Sequence, residues 1–483
     1  PAPFTLPAAD PKYRTLASTV DRAKGVQVPT EYPELKFPVL QHATLKNGTK
    51  VILAERHDIP VVQFSYEFRR GAAADPAGKS GLAAFAAKML GEGAGTRDSL
   101  AFADAVESEG AVVRAGAGLD GSNAYLSALK ENLDASLGLY AGMLRAPRFD
   151  PADIDRVKAT TIAGIKQEKA RPNGAALRVL PPLLYGTGHP YAIPFSGSGT
   201  EAGVASLTRA DLAGFEQAGL RPESATLIVA GDTTLKEIVP LLDKHFGDWK
   251  GEGAAPAALK LAEVARPARP RVYLIDQPGA VQATIFAGEL VPSTGDAGAV
   301  KFDIANSVLG GEFSSRLNMN LREDKHWAYG AYSFTNDAVG QRPWLAFAPV
   351  QIDRTADSLK EMDREFVRYF GGQAPATAQE VAKIQATEIR SLPGAYETAV
   401  SVMNTVSGIV KYGRPDDYVF KRKAEIEALT PEQVKAAAAT IDPGRLVWVV
   451  VGDLKQIEQP VRALGLGEVS IVDADGQPAA ARP

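Results

Sequence analysis

The chain states one plan twice. Val229-Ala-Gly-Asp232 and Val450-Val-Gly-Asp453 each close an apolar, strand-like run, and their aspartates lie 221 positions apart. Upstream, Ser206-Leu-Thr-Arg-Ala-Asp-Leu212 is mirrored by Ala428-Leu-Thr-Pro-Glu-Gln-Val434. Both read as helix starts, with Thr at the N-cap and a carboxylate or amide in the first turn. Earlier still, Lys50-Val-Ile-Leu-Ala-Glu55 parallels Arg271-Val-Tyr-Leu-Ile-Asp276, and helical runs ending Met89-Leu-Gly91 and Val308-Leu-Gly310 follow them. An offset of this size is far too long for a solenoid repeat, so it reads as a duplicated domain.

Residues 251–270, rich in Gly, Ala and Pro, read as the linker between the copies. The first copy opens on paired strands, Thr49 to Glu55 and Val61 to Arg69, and continues into long Ala-rich helices. Strand and helix signals alternate from there on. The expected class is α+β: two homologous domains, each a mixed β-sheet packed with α-helices. The expected divisions are an N-terminal extension at 1–35, a domain at 36–250, the linker at 251–270, a second domain at 271–467 and a tail at 468–483. The two ends read as extended arms or loose tails.

Hydrophobic residues make up 45% of the chain and charged ones 23%, an ordinary globular balance. A net charge of −4 gives no electrostatic reason to expect nucleic acid or an anionic membrane as partner. The strongest apolar runs, such as Leu446-Val-Trp-Val-Val-Val451, are strand-sized. They fall well short of the roughly 20 residues of a spanning helix, so no membrane span is expected. Cysteine is absent, which removes disulfides, thiolate nucleophiles and Cys-ligated metals. That absence suits an oxidising compartment, and the Pro/Ala-rich start at Pro1 is like that of an exported chain after signal removal. A periplasmic or otherwise exported location is expected, with a cytoplasmic one left open.

The five histidines, His42, His57, His189, His245 and His326, include no two within four residues, so no local histidine pair is spaced for a metal. Asp155 and Glu168 read as solvated helix positions, and no G-x-S-x-G elbow is present. Ser196-Gly-Ser-Gly-Thr200 lacks the following G-K-[ST] of a phosphate loop and reads as a flexible surface loop.

The segment Gly71-Ala-Ala-Ala-Asp-Pro-Ala-Gly-Lys-Ser-Gly-Leu82, continuing to Met89-Leu90, resembles the zinc-binding helix of the pitrilysin or insulinase family, to which mitochondrial processing peptidase belongs. That resemblance implies an H-x-x-E-H helix with a third ligand roughly 75 residues on. Here the corresponding positions are Ala84, Ala87 and Lys88, and the third ligand falls at or near Gly164. A methyl group or a hydrogen offers no lone pair, and the Lys88 ammonium repels a dication, so no metal is expected on this chain. Lys88 as the base of an unrelated enzyme is the weaker reading; a solvated or salt-bridged lysine is the plainer one. Gly188-His-Pro-Tyr-Ala-Ile-Pro194 resembles the family's turn before its second strand-helix unit, which gives His189 and Tyr191 a packing role.

The second copy keeps what the first has lost. Val308-Leu-Gly-Gly-Glu-Phe-Ser-Ser-Arg-Leu-Asn-Met-Asn-Leu-Arg322, followed by Trp327-Ala-Tyr-Gly-Ala-Tyr-Ser-Phe334, resembles the family's R-x6-Y segment, with Arg322 and Tyr329 as the matching pair. By that resemblance the pair binds substrate backbone and helps hold the tetrahedral intermediate at a zinc across the cleft. Locally, Gly310-Gly311 permits a tight backbone before a helix from Ser314 to Asp324, with Arg322 in its last turn. A turn at Lys325-His326 then leads into a strand on which Trp327, Tyr329, Ala331 and Ser333 share a face. Spacing alone also allows Arg322 to pair with a carboxylate and Tyr329 to pack in the sheet. Glu312 departs from the family, which usually has a third glycine there.

A chain with this division is expected to be the non-catalytic subunit of a heterodimeric zinc endopeptidase. It would supply Arg322 and Tyr329 in trans to a partner subunit that carries H-x-x-E-H and the zinc, and its substrates would be peptides. The alternative is a structural or peptide-binding protein of the same fold with no proteolytic role, as the resemblance allows through respiratory-complex core subunits.

Overall fold

The computed structural model describes residues 19–25, 29, 31–253, 255 and 257–479. The chain divides into two compact units, Pro1–Leu35 and Lys36–Pro483. In the first, the Asp21 carboxylate accepts from the Ala23 N–H and starts a single 3-10 turn, Arg22–Lys24. The extended arm expected over residues 1–18 lies outside the described residues.

The second unit holds two six-stranded mixed sheets. Strands β1 (Leu40–Thr44), β2 (Lys50–Glu55), β3 (Val61–Phe68), β4 (Val112–Ala117), β5 (Ser122–Leu129) and β6 (Thr226–Gly231) lie in the order β1-β2-β6-β3-β5-β4. Strands β7 (Arg271–Asp276), β8 (Gln282–Val291), β9 (Tyr332–Thr335), β10 (Arg342–Gln351), β11 (Val447–Gly452) and β12 (Glu468–Val472) lie in the order β12-β7-β11-β8-β10-β9. The fold is α+β, and the repeated segments take equivalent places. β2 runs parallel to β6 as β7 does to β11, and each Gly-Asp step ends the later strand of its pair. The repeated helix starts are built alike: Thr208 and Thr430 form reciprocal capping boxes with Asp211 and Gln433.

The copies differ at their outer strand. β1 comes from the start of the unit and is antiparallel to β2, whereas β12 comes from its end and is parallel to β7. Residues 468–472 therefore do not begin a loose tail. They satisfy the backbone groups along β7, which an unpaired edge would leave without partners. Beyond them Val472 bridges to Pro478, and the Asp475 carboxylate meets Lys169 at 2.7 Å.

β6 and β11 are buried along their whole length, and their side chains alternate between two cores. Leu227 and Val229 enter one core, while Ile228 and Ala230 point to the opposite face of the sheet. Trp448 and Val450 likewise face one way, and Val447, Val449 and Val451 the other. A strand apolar on both sides needs cover on both sides. For each sheet the second cover comes from the other copy. Helix Ala399–Lys411 lays Val402, Met403, Val406 and Ile409 on the first sheet. Helix Pro172–Tyr185 lays Ala175, Val179, Leu180 and Leu184 on the second. Helices thus pack across the duplication as well as within each copy.

A half-buried acid makes stability depend on pH. Glu216, on helix Arg209–Gly219, is pushed up to about 7 from 4.5, first by burial and then by the Glu252 carboxylate. Its folded value lies above its unfolded one, so the folded state holds the proton more tightly. That contribution is complete below about 4.5 and is lost as pH rises through about 7. Glu216→Gln is expected to raise thermal stability at pH 8 by on the order of 1 kcal/mol and to change little at pH 4. Paired melting curves at the two pH values check this.

Candidate functional site

The segment resembling a zinc-binding helix folds as helix Leu82–Leu90. Its start is fixed by Asp75, whose carboxylate accepts from the N–H groups of Gly81 (2.8 Å) and Ala83 (2.9 Å). Burial pushes the Asp75 carboxyl up to about 6, against those hydrogen bonds. Gly81 has φ 101°, and a Cβ there would stand 2.9 Å from the Ser198 carbonyl oxygen, so the helix can begin here only with glycine. The frame is intact and the donors are missing. Ala87 is buried, Ala84 half-buried and Lys88 exposed. Gly164, on helix Pro151–Ala170, faces open space. These positions do not fit a zinc ion, and among the described residues no group of three His, Cys, Asp or Glu side chains is arranged to hold a metal.

The Ser196–Thr200 stretch is not the free surface loop that its composition suggests. Gly199 is buried against Ser80 and Gly81 at the start of the same helix. Ser196 and Ser198 both donate to Glu168 at 2.8 Å, and Arg178 donates to the Gly199 carbonyl at 2.7 Å. Glu168 is therefore engaged by partners rather than simply solvated. Tyr191 is buried, with its hydroxyl on Asp120 and accepting from the Gly340 N–H at 3.0 Å; this is a packing role that joins the two copies.

In the second copy the sequence predicts one helix from Ser314 to Asp324. Instead there are two π-helical segments, Ser307–Gly311 and Met319–Asp324, with a single α-turn, Arg316–Asn318, between Glu312 and the second of them. Wide π-turns are uncommon and concentrate at functional sites. The backbone of Gly310 is pressed onto β9: a Cβ would lie 2.5 Å from the Ser333 nitrogen. Arg322 stands in the last turn of the second π-segment, as expected.

The strand predicted from Trp327 starts later. β9 begins at Tyr332, and Trp327, Tyr329, Ala331 and Ser333 do not share a face: Tyr329 is 85% exposed, while Ala331 and Ser333 are buried. The cause lies in where the backbone N–H groups go. Those of Trp327 and Ala328 donate to the Leu321 carbonyl, at 3.0 and 3.4 Å, which folds this stretch back onto the end of the π-segment. His326 makes the reversal with φ 56°, a left-handed conformation that costs a non-glycine residue about 1–2 kcal/mol.

Arg322 and Tyr329 nevertheless converge. The Arg322 guanidinium carbon lies 5.4 Å from the Tyr329 ring centre and 4.6 Å from that of Phe313, within cation–π range of both. Glu323 is 3.5 Å away, a weak pairing with its own neighbour. Phe313 is itself 57% exposed, so a guanidinium, a phenol and an apolar ring are presented together to solvent. A cleft of about 560 Å³ at the seam between the copies, lined by Leu119, Tyr185, Phe195 and Asp337, includes neither Arg322 nor Tyr329. The family resemblance finds the pair but not Phe313, whose ring reaches the guanidinium only through the fold.

Comparison with known proteins agrees with this architecture. The insulinase (peptidase family M16) profile matches residues 50–185, and the peptidase M16 inactive domain profile matches residues 206–388. An uncharacterized zinc protease of Mycobacterium tuberculosis is 25% identical over 281 residues, 58% of this chain and 63% of that protein, so the chain spans just under two thirds of that relative's length. A non-peptidase homolog from Helicobacter pylori is 21% identical over 390 residues, 79% of this chain and 86% of that protein. The crystal structure of a peptidase M16 inactive domain from Pseudomonas fluorescens superposes with a TM-score of 0.79 at 24% identity, covering 86% of this chain and 98% of that one. The periplasmic protease PqqL of Escherichia coli gives 0.70 at 14% identity, over 92% of this chain and 52% of that one. The chain belongs to the M16 peptidase family.

Proposed function

We propose that this chain is the non-catalytic subunit of a two-chain M16 endopeptidase. It holds unfolded peptide through Arg322 and Tyr329 while a homologous subunit carrying H-x-x-E-H supplies the zinc. One observation carries the reading. In a family member whose zinc positions are Ala84, Ala87 and Lys88, the guanidinium of Arg322 and an 85%-exposed phenol at Tyr329 stand together on the surface. A planar fork of donors beside a phenolic O–H suits a peptide carbonyl, and suits it better as that oxygen gains negative charge. A tyrosine kept only for packing belongs in the interior, not at this exposure.

The second reading, a peptide-binding or architectural protein without a proteolytic role, is favoured by the similarity to a chain named a non-peptidase homolog. Both readings share the grip and differ in the partner. An exported location is proposed with either, supported by the absence of cysteine.

The deciding experiment uses the full chain, alone and mixed with an H-x-x-E-H homologue from the same source. Alone, it should carry no stoichiometric zinc by elemental analysis and cleave no unfolded protein. Mixed, it should form a one-to-one complex that cleaves faster than either component. One zinc per chain, or no gain in activity on mixing, would falsify the heterodimer reading.

A further inference from the structure

Arg322 and Tyr329 sit on segments that share no regular hydrogen-bond ladder, one in a π-helical turn and the other in the irregular stretch before β9. The Trp327 and Ala328 amides on the Leu321 carbonyl tie the two at one end, and a buried side chain adds a tie on the far side of Tyr329. Asn318, fully buried, immediately precedes the π-segment that carries Arg322. Its Nδ2 donates to the Phe313 carbonyl at 2.6 Å, and its Oδ1 accepts from the Ala331 N–H at 3.1 Å. Phe313 carries the ring over the Arg322 guanidinium, and Ala331 is two residues beyond Tyr329. A second buried carboxamide steadies the next stretch. Asn306 donates to the Ser333 carbonyl at 2.9 Å and accepts from the Ser333 hydroxyl at 2.6 Å and the Trp344 indole at 2.7 Å.

The chemistry at position 318 is narrow. A carbonyl only accepts and an N–H only donates, so the side chain must offer one donor and one acceptor from the same short planar group. Leucine, of similar volume, takes this partner from the Phe313 carbonyl and from the buried Ala331 N–H. An ionised aspartate keeps the acceptor but turns an oxygen on the Phe313 carbonyl. A protonated aspartate restores both roles.

We propose that Asn318 is the positioning residue of the peptide grip: its carboxamide fixes the Phe313 and Ala331 segments to each other, and so aims Arg322 and Tyr329 at the same peptide carbonyl. This rests on the grip reading above.

The test measures binding of fluorescein-labelled, reduced and carboxymethylated α-lactalbumin, a permanently unfolded chain, to the full-length protein by fluorescence anisotropy. Three variants are compared with wild type: Arg322→Ala, Asn318→Leu and Asn318→Asp. Asn318→Leu should weaken binding about tenfold or more at every pH, the scale expected when a binding group is misplaced by about 1 Å or less. Asn318→Asp should bind like wild type near about pH 5, where a buried carboxyl keeps its proton, and like the leucine variant near about pH 8. Wild type should show no such acid-favoured step, and protection of the Ala331 amide from hydrogen exchange should follow binding in each variant.

If Arg322→Ala weakens binding while a folded Asn318→Leu does not, the positioning role is overturned. Should the leucine variant fail to fold, the aspartate variant decides: equal binding at both pH values overturns the proposal. If wild type does not hold the probe, or Arg322→Ala holds it as tightly, the grip reading falls and the role of Asn318 falls with it.

Discussion

Arg322→Ala is expected to lower hydrolysis by the proposed two-chain enzyme about a hundredfold or more, the usual loss when one donor to a developing oxyanion is removed. The loss should fall on both binding and turnover, with the larger share on kcat, because the donor holds the ground-state carbonyl and holds it harder once that oxygen carries charge. Stability should hardly change: the Arg322 side chain is 30% exposed, touches Phe313 and Tyr329 at the surface, and lies outside the core clusters. Tyr329→Phe separates ring from hydroxyl. It keeps the cation–π contact at 5.4 Å and removes only the O–H, so an effect on rate with no change in melting assigns the contribution to the hydroxyl. Steady-state kinetics on an unfolded protein substrate, beside melting curves of the free subunit, distinguish the outcomes. Wild-type turnover in both variants would place the chemistry elsewhere.

Residues 36–250, produced without the rest of the chain, are expected to give no monomeric folded domain. The first sheet would lose the cover of Val402, Met403, Val406 and Ile409, all buried against Leu40, Ile52, Ile228 and Ala230. Each fully buried aliphatic side chain of this size is worth about 1.5–3 kcal/mol. Four of them approach the whole net stability of a typical domain, roughly 5–15 kcal/mol. The fragment would also expose Val179, Leu180 and Leu184 on helix Pro172–Tyr185, whose partners Val447, Val449 and Val451 lie in the other copy. Aggregation on size-exclusion chromatography, relieved by co-expression with residues 257–479, is the expected result. A soluble monomer with a cooperative melting transition would show that the reciprocal helices are dispensable.

Much of the fold is legible in the sequence because it is local. Lys50–Glu55 and Arg271–Asp276 are strands at the bounds their apolar runs suggest, since alternation and flanking polar residues act over a few positions. Thr208 and Thr430 cap helices because a hydroxyl three residues before a carboxylate or amide needs no distant partner. The emptied ligand positions are legible as residue identities: Ala84, Ala87 and Lys88 lack zinc donors in any fold.

The misreadings share another origin. Trp327 to Ala331 look like a strand, but the N–H groups of Trp327 and Ala328 are claimed by the Leu321 carbonyl and that of Ala331 by the Asn318 side chain, partners that no periodic pattern encodes. Ser196–Thr200 has the composition of a loose loop, yet Glu168, Arg178 and the start of the Leu82–Leu90 helix hold it. Glu468–Val472 looks like a tail because a five-residue edge strand carries little signal apart from the neighbour that accepts it.

Residue identities and their spacing by themselves set the duplication, the nature of most elements and the lack of zinc donors at Ala84, Ala87 and Lys88. Tertiary structure alone decided which sheet each helix covers, and that Arg322, Tyr329 and Phe313 meet. The reason is physical: an apolar stripe requires cover but does not name it, because hydrophobic burial has no direction. A convergence of side chains from three segments exists only once buried hydrogen bonds, such as those of Asn318, have set the distances between them.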